Sequence, residues 1–294
     1  MNVTKLLEFN GHVDCIYTAT LNLEVSQLYT AGGDGIVAAW DYALGGDGAM
    51  LVKVNNSVYS MCLFENKLLL GSSTGNLFLI NLASKIEERN IEAHAQGIFD
   101  IVYDEINERI LTCGFDGVLN VWNKELHLKS SIKLSEKSLR NICLLPEAIA
   151  IASSDFTIYI LDSTTFEIKH RIKNHTNSVF ALAFNPIKKE LLSGGRDCYL
   201  KVWDIETWRL KQEYVGATLH INHIVFSPDN RYYALSSMDK TLKIFDAATH
   251  SPLKFITREK NDGHTSSINK ALWLNIDSII SISDDKKAIS WFLE

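Results

Sequence analysis

The chain repeats one pattern, which reads Leu28-Tyr-Thr-Ala-Gly-Gly-Asp-Gly-Ile-Val-Ala-Ala-Trp-Asp41 in its first full copy. A later copy reads Leu191-Leu-Ser-Gly-Gly-Arg-Asp-Cys-Tyr-Leu-Lys-Val-Trp-Asp204. Each copy contains an apolar run, a turn with glycine and aspartate, and a second apolar run that ends in Trp-Asp. Self-similarity of this kind predicts a fold built from repeated units.

The polar residue of the turn gives the period of the repeat. It recurs at Asp34, Thr74, Asp116, Asp155, Asp197, Asp239 and Asp285. The intervals of 39 to 46 residues are typical of β-propeller blades. Because 294 residues divided by seven repeats gives 42 residues each, we expect a single domain over residues 1–294.

Each repeat predicts four antiparallel strands. In the fifth repeat, apolar runs cover 179–184, 190–193 and 199–203, and turn residues separate them. A more polar run follows at 208–214, as expected for an outer strand that faces water. The predicted fold is therefore all-β, a seven-bladed β-propeller of four-stranded antiparallel blades.

The two ends of the chain predict how the ring closes. The seventh repeat stops at Trp291-Phe-Leu-Glu294, directly after its third strand. The segment 3–9 has strand-like composition but belongs to no preceding repeat. We therefore expect the N-terminal strand to join the last blade, which removes an open edge.

A Gly-His or related pair near the start of a repeat accompanies Trp-Asp or a related pair near its end. The clearest copies are Gly11-His12 with Trp40-Asp41, Ala93-His94 with Trp122-Asn123, Asn174-His175 with Trp203-Asp204, and Gly263-His264 with Trp291-Phe292. This pattern resembles the WD-repeat family of β-propellers over essentially the whole chain. Seven copies in register make the resemblance specific.

In that family a His, a Ser or Thr, an Asp and a Trp form a buried hydrogen-bonded tetrad. The resemblance implies four complete tetrads here: His12, Thr30, Asp34 and Trp40; His94, Thr112, Asp116 and Trp122; His175, Ser193, Asp197 and Trp203; His264, Ser281, Asp285 and Trp291. Repeats two, four and six depart from the pattern, with Ile80, Leu161 and Phe245 at the Trp position. We expect the Asp to accept from both the His and the Trp. Asp239, in the sixth repeat, should then matter less for stability than Asp197.

The His, hydroxyl and Asp of a tetrad also have the composition of a hydrolase triad. The same set occurs four times in one register, whereas catalysis needs one site, so we interpret these residues as structural. The cysteines form no Cys-x-x-Cys pair and fall in different repeats: Cys15, Cys62, Cys113, Cys143 and Cys198. No metal site and no cofactor are predicted.

The first strand of each repeat is expected to begin at one mouth of the central channel, as in WD-repeat proteins. The positions at this mouth are Tyr17, Tyr59, Phe99, Arg140, Phe180, Asn222 and Asn269. The residue before the turn carboxylate adds Phe115 and Arg196 to the same face. Because aromatic and Arg side chains are enriched at binding hot spots, we predict a partner-binding surface of Tyr17, Tyr59, Phe99, Phe115, Arg140, Phe180 and Arg196. The alternative is that the rings only plug the channel mouth.

The leading functional hypothesis is a non-catalytic protein-interaction scaffold that binds a peptide or protein partner on this face. The alternatives are an architectural subunit that uses its blade edges within a larger complex, and a propeller enzyme with an active site in the channel. A net charge of -6 does not favour nucleic acid as a partner. No apolar run reaches the roughly 18 residues of a membrane span, so we expect no membrane partner and a cytoplasmic location.

Overall fold

The computed structural model describes residues 1–294, which form 28 strands and one short helix. The strands make seven separate four-stranded antiparallel sheets. The first strand of each sheet contacts the first strands of the two neighbouring sheets, so the sheets are blades around a central channel. The predicted all-β, seven-bladed propeller is confirmed.

The strands follow the chain blade by blade after β1 (Val3–Asn10). The first three blades contain β2 (Ile16–Asn22), β3 (Gln27–Gly32), β4 (Ile36–Asp41) and β5 (Ala49–Lys53); β6 (Val58–Phe64), β7 (Lys67–Ser72), β8 (Asn76–Asn81) and β9 (Ile86–Glu92); β10 (Ile98–Asp104), β11 (Arg109–Gly114), β12 (Val118–Asn123) and β13 (Leu128–Lys133).

The remaining blades repeat this arrangement. Blades four to six contain β14 (Leu139–Leu144), β15 (Ala148–Ser153), β16 (Ile158–Asp162) and β17 (Ile168–Ile172); β18 (Val179–Asn185), β19 (Glu190–Gly195), β20 (Tyr199–Asp204) and β21 (Leu210–Val215); β22 (Ile221–Phe226), β23 (Tyr232–Ser237), β24 (Leu242–Asp246) and β25 (Pro252–Ile256). Blade seven contains β26 (Ile268–Trp273), β27 (Ser278–Ser283) and β28 (Lys287–Leu293), with the helix α1 (Arg258–Asn261) before it.

The N-terminal strand closes the ring. β1 pairs with β28 in antiparallel register, from Val3 opposite Leu293 to Asn10 opposite Lys287. The turn after α1 contacts the same strand, since Lys5 Nζ lies 2.9 Å from Asp262 Oδ2. The predicted closure is confirmed, and it places both ends of the chain in one sheet.

The hydrophobic core lies between the blades rather than within one layer. Seven clusters of buried apolar side chains each join two neighbouring blades. One of them packs Phe9 and Trp40 against Ile280, across the junction of the first and last blades. The outer strands carry polar residues, and β9 is exposed along most of its length. Each blade therefore depends on its neighbours to bury its faces.

The outer strand of blade five begins at Leu210, two residues later than predicted. The amides of Glu206 and Thr207 donate to Asp204 Oδ1, and the amide of Trp208 donates to the Asp204 carbonyl. Trp208 ends this turn in the left-handed region, with φ of 57°. Its side chain is partly buried and packs against the apolar cluster between blades four and five.

A candidate binding surface at the channel mouth

Four blades contain complete tetrads that tie an entry loop to the second and third strands. In blade five, His175 Nδ1 lies 2.8 Å from Asp197 Oδ2, and His175 Nε2 lies 2.7 Å from Ser193 Oγ. Trp203 Nε1 donates to Ser193 Oγ over 2.7 Å. The same contacts occur in His12, Thr30, Asp34 and Trp40, in His94, Thr112, Asp116 and Trp122, and in His264, Ser281, Asp285 and Trp291.

The chemistry of the groups fixes the direction of each hydrogen bond. An ionised carboxylate only accepts and an indole N–H only donates, so His175 Nδ1 donates to Asp197. Ser193 accepts from Trp203 and donates its own proton to His175 Nε2. The expectation that Asp197 accepts from Trp203 is wrong, because the hydroxyl stands between them. Burial raises the pKa of Asp197, but the hydrogen bonds from His175 and from the Thr176 amide hold it below its usual value.

The other three blades build different networks around the same turn. In blade six, Asp239 Oδ2 lies 3.0 Å from Lys243 Nζ and also accepts from the amide and hydroxyl of Thr218. In blade four, Asp155 accepts from Ser135 and from Tyr159 OH. The expectation that Asp239 lacks partners is therefore wrong. A buried Lys on the third strand replaces the His of the tetrad.

A β-bulge interrupts every inner strand at the same point. In blade one the pairing register shifts between Ile16 and Thr18, which leaves Tyr17 unpaired. Equivalent shifts in the other six blades leave unpaired Tyr59, Phe99, Arg140, Phe180, Asn222 and Asn269. Bulges redirect side chains and recur beside functional sites. These seven bulged residues, here called the mouth ring, are the positions predicted at the channel mouth.

The mouth ring lines one recess of about 320 Å³. The recess is coaxial with the propeller because each blade contributes one residue to it. All seven side chains are half-buried, so they pack against each other and also meet solvent. The structure thus brings together Tyr17, Tyr59, Phe99, Arg140 and Phe180 of the predicted surface.

The aromatic members of the mouth ring form a continuous stack. Tyr17 meets Tyr59 edge to face at 5.6 Å between ring centroids, and Tyr59 stacks on Phe99 at 5.8 Å with an interplanar angle of 7°. Phe115 extends the series, 6.2 Å from Phe99, and half of its surface is exposed. Phe115 and Arg196 lie outside the lining of the recess, at its rim. This is one aromatic patch on blades one to three.

Arg140 continues the patch into blade four. Its guanidinium carbon lies 4.2 Å from the centroid of the Phe99 ring and 5.3 Å from that of Phe180. Its Nε donates to Ser154 Oγ over 2.8 Å. Two rings and one hydroxyl thus fix the guanidinium, whose terminal nitrogens make no hydrogen bond within the protein.

A second ring of residues lies directly below the mouth ring. Because the bulge breaks the usual alternation of a strand, the next residue in each inner strand also turns toward the channel. This lower ring consists of Thr18, Ser60, Asp100, Asn141, Ala181, His223 and Lys270. All but Ala181 line a cavity of about 140 Å³ beneath the recess. Burial raises the pKa of Asp100 and lowers that of Lys270, and burial beside Lys270 lowers the pKa of His223 to about 3.

The sequence alone did not indicate the lower ring. Its polar members sit in apolar strands, where alternation predicts that they point away from the mouth ring. Only the bulge brings Asp100 and Lys270 into the channel, and no residue type marks a bulge of this kind. The structure contains no group of three or more His, Cys, Asp or Glu residues that could hold a metal ion. No helix in it is long and apolar enough to cross a membrane.

Comparison with known proteins finds repeats of one family. The WD40 family model, described as "WD domain, G-beta repeat", matches residues 86–123, 166–204 and 208–246. Each matched repeat begins at or just before the outer strand of one blade and ends with the third strand of the next. The sequence repeat is therefore offset from the blade, which is the same offset that leaves β1 to complete blade seven.

Several curated relatives align with the chain. Protein tipD of Dictyostelium discoideum is 25% identical over 295 residues, which cover 96% of this chain and 48% of that protein. WD repeat-containing protein 36 of Homo sapiens is 26% identical over 230 residues, which cover 70% of this chain and 25% of that protein. The serine-threonine kinase receptor-associated protein of Gallus gallus is 24% identical over 273 residues, which cover 90% of this chain and 77% of that protein.

The alignments also show a difference in length. The chain spans about half the length of tipD and about a quarter of the human protein. The similarity covers nearly all of this chain in tipD and in the chicken protein. Three repeats of this chain therefore match the WD40 family model, and they lie in a seven-bladed β-propeller in which four blades contain complete His-Asp-Trp networks.

Proposed function

We propose that this protein is a non-catalytic interaction scaffold that binds a peptide or protein partner at the mouth ring. The observation that carries the proposal is the stack of Tyr17, Tyr59 and Phe99 that continues into Arg140. Aromatic and Arg side chains dominate binding hot spots, because aromatic rings contribute a large contact area with few rotatable bonds and Arg adds directional hydrogen-bond donors. Here they line a half-buried recess instead of a closed core.

The relatives support an interaction role. One of them is named for its association with a serine-threonine kinase receptor. The propeller itself suits such a role, because a rigid ring presents loops and bulged residues from seven blades on one face. The His-Asp networks, which resemble catalytic triads in composition, occupy four blades equally and serve to join strands. They favour a structural role over an active site.

We also propose a cytoplasmic location. All five cysteines are free. Disulfides are rare in cytosolic proteins. The proposal is tested by imaging a fluorescent fusion of the protein in its source cells, where enrichment in the secretory pathway would contradict it.

Site-specific photo-crosslinking tests where a partner binds. A photoreactive phenylalanine analogue would replace Phe115 at the rim of the mouth, Ile106 on the opposite face, or Met50 on the outer edge of blade one, all of which are exposed. We expect crosslinked partners from position 115 and few from positions 106 and 50. Crosslinks from position 50 alone would favour the architectural alternative, in which the blade edges make the contact.

A further inference from the structure

The channel holds more positive charge than its own carboxylate neutralises. Three charged side chains line it, namely Arg140 in the mouth ring and Asp100 and Lys270 in the lower ring. Asp100 Oδ1 accepts from the Ile101 amide, and Oδ2 accepts from the Ile142 amide and from Asn141 Nδ2 at 2.7 to 2.8 Å. The carboxylate of Asp100 is thus occupied by uncharged donors.

The two cations keep free donors. Lys270 Nζ makes no hydrogen bond and no ion pair within the protein, although the charge of the Asp100 carboxylate acts on it. Arg140 donates through Nε only, so its two terminal nitrogens remain available. Buried or half-buried cations with unused donors favour an anionic partner.

Arg140 is already held in one orientation. The rings of Phe99 and Phe180 flank its guanidinium, and Ser154 fixes Nε. A guanidinium with a fixed plane presents its remaining donors as a fork that matches the two oxygens of a carboxylate. Little side-chain entropy would then be lost when such a carboxylate binds.

Charge around the mouth is unevenly distributed. On the side of blades seven and one, burial raises the pKa of Tyr17 to about 12, and the nearby Cys15, Asp14 and Asp284 add to this effect. On the opposite side, burial lowers the pKa of Arg140 and of His220, and the positive charge of Arg196 lowers both further. An acidic ligand group is attracted to blades four and five and repelled from blades seven and one.

We propose that the mouth ring binds the side-chain carboxylate of an Asp or Glu in a partner segment, and that Arg140 is the residue that holds it. The positive charge of Lys270, in the lower ring, also attracts this carboxylate toward the channel. The apolar residue next to that carboxylate packs on Tyr59 and Phe99. This inference rests on the proposed function, since it names the chemistry that the same surface recognises.

The same charges argue against a basic ligand. A lysine or methylated lysine drawn to the aromatic rings would meet Arg140 against Phe99 and Lys270 below it. A cation already held on a ring disfavours a second cation beside it, because the two like charges repel each other. The guanidinium of Arg140 already lies over Phe99 and Phe180.

Titration with matched peptides tests the proposal. The probes are three hexapeptides with one phenylalanine: the first has a neighbouring glutamate and blocked ends, the second has glutamine in its place, and the third has that glutamine and a free C-terminal carboxylate. Binding is followed by NMR at low salt, through the backbone amide signals in the parent and in both variants. The Nε–H signal of Arg140, which is assigned by its absence from Arg140→Gln, reports contact with the guanidinium in the parent. Arg209→Gln is the matched control, because Arg209 is exposed on the opposite face.

We expect the glutamate peptide to bind at least about tenfold more tightly than the glutamine peptide, as a charge-assisted hydrogen bond implies. The preference should vanish in Arg140→Gln, persist in Arg209→Gln, and weaken as sodium chloride is added. Melting curves of both variants show that each is folded.

Three outcomes would overturn the inference. Equal binding of the glutamate and glutamine peptides, with shifts at the mouth ring, would show that the surface binds peptides without recognising a carboxylate. The inference would then fail, and the proposed function would stand. Tighter binding of the peptide with a free C-terminus would exclude the side-chain carboxylate. Shifts confined to the opposite face or to blade edges would contradict both the inference and the proposed function.

Discussion

Trp203 Nε1 and His175 Nε2 both meet the hydroxyl of Ser193, each at 2.7 Å. One buried oxygen thus accepts the indole proton and supplies the proton that the imidazole accepts. Removing that oxygen leaves two buried polar groups without partners. The Ser193 hydroxyl, rather than the Asp197 carboxylate, therefore joins the second strand of the blade to the third.

Ser193→Ala should therefore destabilise the protein by about 2 to 4 kcal/mol, since each buried unsatisfied group costs about 1 to 3 kcal/mol. Ser236→Ala is the matched control, because the Ser236 hydroxyl is also fully buried but has no hydrogen-bond partner. That substitution should be neutral or slightly stabilising. Urea unfolding measures both, and equal losses would contradict the role assigned to the Ser193 hydroxyl.

Asp239→Ala should cost about as much as Asp197→Ala, roughly 2 to 4 kcal/mol in each case. Without Asp239, the buried ammonium of Lys243 keeps only the carbonyl of Gly216 as a partner. Without Asp197, His175 loses its acceptor. Thermal and urea unfolding compare the two variants. A near-zero effect at Asp239 would show that the network of blade six contributes nothing to stability.

Deletion of residues 1–8 should remove most of β1 and expose the edge of β28. We expect a loss of several kcal/mol, a large share of the about 5 to 15 kcal/mol that stabilises a typical domain. The truncated chain should also self-associate through the open edge. Deletion of Met1 alone is the control and should have little effect, because backbone pairing with the C-terminal segment begins at Asn2. A monomeric chain with an unchanged melting temperature after the longer deletion would contradict closure by β1.

His223 should make the protein less stable at acidic pH. Its pKa is about 3 in the folded protein, against 6.5 in the unfolded chain. Between these values the unfolded chain binds the additional proton, so stability falls as pH falls from 6.5 toward 3. Because part of the ring meets the channel, we expect about 1 to 2 kcal/mol of this loss at pH 5.

Urea unfolding of His223→Gln at pH 7.5 and pH 5 measures that share. The variant should lose about 1 to 2 kcal/mol less than the parent between the two pH values. His127→Gln removes an exposed histidine and should follow the parent. If His223→Gln lost as much as the parent, the stability of the fold would not depend on a neutral His223.

Blade number, strand order and closure were predictable because they depend on a repeated pattern. The spacing from Asp34 to Asp285 defines seven units, and the unpaired strand at 3–9 needs a partner. The mouth ring was also predictable, since every repeat has one residue at the position that Tyr17 occupies in the first repeat and Phe99 in the third. The lower ring was not, because residues such as Lys270 face the channel only through a bulge.

Two further features depend on contacts that the sequence does not show. Asp239 pairs with Lys243, a residue of the third strand. The equivalent residue in blade one is Ala38, so the repeat pattern does not predict this pairing. The acceptor of Trp203 depends on which of two polar groups lies nearer, and the strand pairing places Ser193 there.

The central claim is that the aromatic face binds a partner, and the most direct test is a double substitution of Tyr59→Ala and Phe99→Ala. The control replaces Leu253 and Phe255 with Ala on the exposed outer strand of blade six. Both variants are melted and then used to recover partners from source cells by affinity capture with mass spectrometry. We predict that the mouth variant folds but loses its partners, with at least about thirtyfold weaker binding, whereas the edge variant keeps them. Retention of every partner by a well-folded mouth variant would contradict the account.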